Sequence, residues 1–68
     1  MNQQLENLMY ESGLTAQGCW DSMDDYDHAA IEKLVELVVQ ESIDVIVRHD
    51  YHGQWLGEKI KQHFGIDQ

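Results

Sequence analysis

The sequence predicts an all-α protein of three short helices, assembled as a homo-oligomeric helical bundle. Three observations carry this. Apolar residues recur at three- and four-residue spacings in three separate runs. Charged and amide residues of the longest run, Glu32, Glu36, Gln40, Asp44 and Arg48, return every fourth position. Two runs close on a glycine followed by an apolar residue, in Ser12-Gly13-Leu14 and Phe64-Gly65-Ile66. That is how a helix ends when glycine turns left-handed and the next residue packs back on the last turn.

The first helix is expected from about Asn2 to Ser12, with Leu5, Leu8 and Met9 on one face. Leu14 to Ser22 has no helical periodicity and reads as loop. Ser22, Asp24 and Asp25 are candidate N-caps for the second helix, and acids in a first turn suit the helix dipole. This helix is expected from about Asp25 to His49. Its β-branched residues favour a strand locally, but the length and the four-residue polar spacing favour helix. Wound at 100° per residue, Ile31, Leu34, Val35, Val38, Val45 and Ile46 share one half, and Val39, Ile43 and Val47 extend the arc beyond the roughly 100° that a surface helix needs. One small domain cannot cover so wide an arc. The third helix is expected from about Gly53 to Phe64, with Leu56, Ile60 and Phe64 in line and Trp55 beside them. Gly57 inside it costs about 1 kcal/mol relative to alanine; it is either simply tolerated or marks close approach of another backbone or a ligand.

Length and composition narrow the rest. A single domain of 68 residues buries only about 60% of the surface that its unfolded chain exposes. Below roughly 70 residues the usual remedies are disulfides, a structural metal or oligomerisation. Cys19 is the only cysteine, so no internal disulfide forms, and oligomerisation is the expected remedy. Thirteen acidic residues against four basic, a net charge of −9, argue against direct binding of nucleic acid, which depends on basic side chains releasing counterions. The charge is uneven: residues 1–27 hold six acids and no Lys or Arg, whereas residues 48–68 hold three bases against three acids and three of the four histidines. With neither a run of about 20 apolar residues nor a signal sequence, the expected location is the cytoplasm.

The phrases Leu5-x-x-Leu8-Met9-x-x-Ser12-Gly13-Leu14, Glu32-Lys33-Leu34-Val35-Glu36-Leu37-Val38-Val39-Gln40-Glu41-Ser42 and Ile60-Lys61-Gln62-His63-Phe64-Gly65-Ile66 resemble a group of short tailed-bacteriophage proteins. Their pattern is an N-terminal L-A-x-x-A-G, a central F-A-E-L-I-V-x-E-C and a closing I-K-x-H-F-G-V. This chain departs from it at Ser42, where cysteine is usual, and at Leu34, where phenylalanine is usual. The resemblance implies a phage origin and a role in the infected bacterial cell. Phage proteins of this size often counter host defence, some as sponges for cyclic-nucleotide or cyclic ADP-ribose-like signals and others as acidic mimics of DNA.

Both roles can be weighed on the residues. Arg48, Lys59, Lys61 and His63 can give charge-assisted hydrogen bonds to phosphate, and Tyr51, Trp55 and Trp20 offer flat faces for a purine. Lys59 and His63, four apart, share a helix face; Lys61 points elsewhere and needs a second subunit or a curved pocket. The candidate ligand-binding residues are therefore Arg48, Tyr51, Trp55, Lys59, Lys61 and His63, weighed against packing, since aromatics at helical spacing usually form core. The competing expectation is an acidic inhibitor that presents Asp21, Asp24, Asp25, Asp27, Glu32 and Glu36 to a basic host protein; the plainer reading of those acids is a solvated face. His49-Asp50 resembles the metal-binding pair of a phosphohydrolase family, but that chemistry needs ligands from more helices. His49, Asp50 and His52 lack a fourth zinc ligand, and no signature of a nucleophile surrounds Cys19. No enzyme, metal or cofactor is expected.

Overall fold

The computed structural model describes residues 2–66. Their regular elements are all helical: α1 (Gln3–Glu11), a 3₁₀ turn (Ala16–Gly18), α2 (Asp25–His49) and α3 (Gly53–Phe64). The segment expected as loop thus contains one short 3₁₀ turn, with Gln17 at a φ of 56° between two flanking turns.

Each helix begins and ends for a local reason. Asp24 caps α2: its Oδ1 accepts from the Asp27 amide at 2.9 Å, and Asp27 Oδ2 accepts from the Asp24 amide at 3.5 Å. This reciprocal pair satisfies two of the donors that a helix start leaves free. Gly13 and Gly65 both adopt positive φ, 88° and 68°. After them the Leu14 amide donates to Met9 O at 3.0 Å and the Ile66 amide to Lys61 O at 2.9 Å, which is the expected glycine stop at both places. Between α2 and α3, Asp50 Oδ1 accepts from the His52 amide at 2.7 Å. Asp50 therefore builds the turn, a use that short acidic side chains serve well.

The α2–α3 pair is the packed part of the molecule. Gly53 and Gly57, one turn apart on α3, are both buried against α2. A Cβ at Gly53 would lie 2.5 Å from Val47 Cα, and one at Gly57 would lie 2.6 Å from Ile43 Cγ2. What approaches Gly57 is the Ile43 side chain, neither a backbone nor a ligand, and the contact to backbone is at Gly53 instead. Ile43 is the most buried of the large apolar residues, 5% exposed, and Leu5 of α1 follows at 7%. α1 is tied down at its start, where Asn2 Nδ2 donates to His63 O at 2.8 Å at the end of α3.

The sequence places Val39, Ile43 and Val47 at one edge of the apolar arc, yet this edge faces α3. The middle of the arc is left open: Leu34 is 59% exposed, Val38 54% and Val45 47%. The chain is accordingly elongated, 43 × 20 × 18 Å, with a radius of gyration of 13.8 Å against about 11 Å for a compact chain of this length. The long axis is set by α2, whose 25 residues span about 37 Å at 1.5 Å per residue. Among the described residues no helix is long and apolar enough to cross a membrane.

Candidate functional site

The turn at Asp50–His52 folds α3 back along α2 and leaves one flank of the pair open as a cleft. Ile46 of α2 and Leu56, Lys59, Ile60, His63 and Phe64 of α3 line a space of about 390 Å³. The lining is almost wholly apolar; Lys59 and His63, four residues apart and so on one face, are its two polar side chains and meet the space mainly through carbon atoms. Lys59 Nζ stands 5.4 Å from the centre of the Trp55 ring, within cation–π reach. Trp55 is 62% exposed, so the ring is open to solvent with an ammonium over it. His63 meets Phe64 edge-to-face, with centroids 4.9 Å apart.

The six predicted residues divide. Trp55, Lys59 and His63 gather along one side of α3. Lys61 lies in a different, smaller cleft with Lys33, Glu36, Gln40 and Ile66, as expected for a residue two positions from Lys59. Arg48 is two residues past Ile46, about 160° round the helix at 100° per residue, and so faces away from the cleft. Tyr51, at the tip of the turn, is 96% exposed and touches only the edge of His52 among aromatic rings. A single chain therefore offers one flat ring and two basic groups at one place. Arg48 and Lys61 lie on separate faces, away from this place.

Periodicity could not foresee a second cluster. The Trp20 ring stacks on His28 of α2, centroids 4.0 Å apart and planes within 5°. His28 Nε2 lies 2.7 Å from Trp20 O; a carbonyl only accepts, so that nitrogen carries the proton. This stack pins the connecting segment to α2. Trp20 also lines a cleft of about 400 Å³ with Leu5, Glu6, Met9, Thr15 and Glu32. Glu6 is the residue that sequence reasoning passed over here, and Trp20, named there only as a flat face for a purine, was not joined to Glu6 and Glu32. Apart from the aromatic character of Trp20, nothing in the linear order brings Glu6 to Glu32. Around the turn, Asp50 is engaged by the backbone, and among the described residues no three His, Cys, Asp or Glu side chains gather as a metal ion would need.

No protein-family model, curated protein or solved structure matches the chain.

Proposed function

We propose that the protein binds a nucleotide-type signal without turning it over, as a homo-oligomer in the cytoplasm of a phage-infected bacterium, and so blunts a host defence. The observation that supports this most is the exposed Trp55 ring with Lys59 above it, beside an apolar cleft rimmed by His63. A purine stacks on an exposed indole, a contact worth about 1–3 kcal/mol per base, while an ammonium and an imidazole meet phosphate oxygens. The cleft volume falls within the roughly 300–1,000 Å³ of small-molecule sites. Lys61 lies on another face and joins the same ligand only across a subunit boundary, which is why the reading includes assembly, whereas Arg48 faces away from the cleft and is left out of the site. The phage setting rests on the resemblance of the Ile60-Lys61-Gln62-His63-Phe64-Gly65-Ile66 phrase.

The test is calorimetry against a panel of cyclic mononucleotides, cyclic dinucleotides, cyclic ADP-ribose and their linear counterparts. Stoichiometric binding, recovery of unaltered ligand, and loss of binding in Lys59→Ala are expected. No heat with any member of the panel overturns the reading.

A protein-directed role has one observation of its own in the cleft where Glu6 and Glu32 flank Trp20, since two carboxylates beside an indole suit a lysine or arginine side chain. Under this reading the protein ignores nucleotides and captures a basic host protein, and Glu32→Gln weakens the capture.

A further inference from the structure

The outer face of α2 is bare along a regular line. Leu34, Val38 and Val45 are exposed and follow one another at spacings of four and seven, with half-buried Ile31 three positions before, the repeat that lets two helices pack along a common seam. Leu8 of α1 stands beside them, 47% exposed, in an apolar groove shared with Leu34, Val38 and Phe64. The folded chain exposes 5318 Å², about 900 Å² more than a folded monomer of 7.9 kDa is expected to show. One partner in a standard-size interface buries about 800 Å². The excess therefore matches one missing partner.

Charge says which partner and in which direction. Asp24, Asp25 and Asp27 stand at the start of α2 and Arg48 and His49 at its end, with Lys33 and Glu41 between them. In a parallel pair each of these groups would face its own copy, acid against acid and base against base. In an antiparallel pair Asp27 meets Arg48 of the other copy, and Lys33 meets Glu41. The first match calls for a twofold axis crossing α2 between positions 37 and 38 and the second for one at position 37, within one residue of each other. That is also where the open apolar residues Leu34, Leu37 and Val38 are concentrated, so the charge register and the apolar register agree.

We infer that α2 packs antiparallel against α2 of a second copy of this chain, with Leu34, Leu37 and Val38 around the axis and Asp27 and Lys33 of each copy paired with Arg48 and Glu41 of the other. The inference rests on the assembly part of the function proposed above, and gives it a partner, a face and a direction. The nucleotide reading is tested separately by calorimetry.

Light scattering across a concentration series tests the assembly, and the expected mass is that of a dimer or a multiple of it. Val38→Glu is expected to give a monomer that keeps its helical circular dichroism. Lys33→Glu, at the rim, is expected to weaken self-association at least tenfold without loss of helix, and Lys33→Glu with Glu41→Lys to restore it. Direction is read by oxidising a mixture of two single-cysteine variants, Asp27→Cys and Arg48→Cys, each carrying Cys19→Ser. A dominant cross-link between positions 27 and 48 is expected. A dimer cross-linked mainly 27 to 27 overturns the antiparallel inference and leaves assembly standing. A wild-type monomer at all concentrations overturns both, whatever the calorimetry finds.

Discussion

The two sides of α2 carry the same kinds of residue and meet different fates. On one side Ile43 is buried against Gly57 of α3 and the Val47 backbone lies against Gly53, so close that an added Cβ at either glycine forces a shift. On the other, Leu34 and Val38 remain more than half exposed. Hydrophobicity alone does not separate the two sides, since both read as apolar. What separates them is the partner: α3 presents glycines, which let one helix come down onto the other, while α1 is nine residues long and reaches only part of the opposite side. Apolar periodicity thus marks surface that is to be covered, and small residues on a neighbouring helix mark where the chain covers it itself.

Substitutions at the glycine seam have the largest expected effect. At Gly53 an added Cβ meets Val47 Cα at 2.5 Å, and backbone yields only if the helices part. Gly53→Ala is expected to cost about 3 kcal/mol, at the upper end of overpacking effects, read by urea denaturation at fixed protein concentration. A change below about 0.5 kcal/mol, the range of ordinary surface substitutions, would mean that the seam is no tighter than the outer face. Gly57→Ala should cost less, roughly 1–2 kcal/mol, because alanine recovers about 1 kcal/mol of helix propensity and the obstacle is the Ile43 Cγ2 atom. Combining it with Ile43→Ala removes that atom. The pair should then be less harmful than the sum of its parts by at least about 0.5 kcal/mol, as for residues in contact.

These glycines show how far the sequence could be read. The ends of the helices were legible because they depend on local chemistry: Gly13 and Gly65 at positive φ, and Asp24 among three candidate caps. The span of α2 and the separation of Lys59 from Lys61 followed from helical geometry. Gly53 gave no such signal, since a glycine next to a turn is usually read as part of the turn, yet here a Cβ would strike the Val47 backbone of α2. Nor could the sequence say which part of the wide arc faces inwards, because that depends on where the Asp50–His52 turn sends α3. The Trp20–His28 stack joins a loop residue to a helix residue and has no period to reveal it.

Away from the seam, stability should depend more on caps than on core. Asp24→Ala removes the acceptor for the Asp27 amide and is expected to cost about 1 kcal/mol. Asp24→Asn, which keeps an oxygen for that amide, should recover most of it. Full recovery by asparagine but not by alanine separates the hydrogen bond from the removal of one acidic charge, which both variants share.

The smallest expected effect on stability belongs to Trp55, and it bears most on the site. A tryptophan packed in a core loses about 3–5 kcal/mol on truncation to alanine. Trp55 is 62% exposed and has Lys59 over its ring, so Trp55→Ala should change stability by less than about 0.5 kcal/mol, the small loss of contact being offset by the better helix propensity of alanine. Nucleotide binding should instead fall at least tenfold, because the stacking surface is gone while Lys59 and His63 remain. The two readouts together decide what the ring is for. Stability unchanged and binding lost identifies a ligand platform held open on α3. A loss of several kcal/mol that grows smaller as protein concentration is lowered would mean that the indole is buried between subunits, and α3 would then belong to the covering of the bundle rather than to a site.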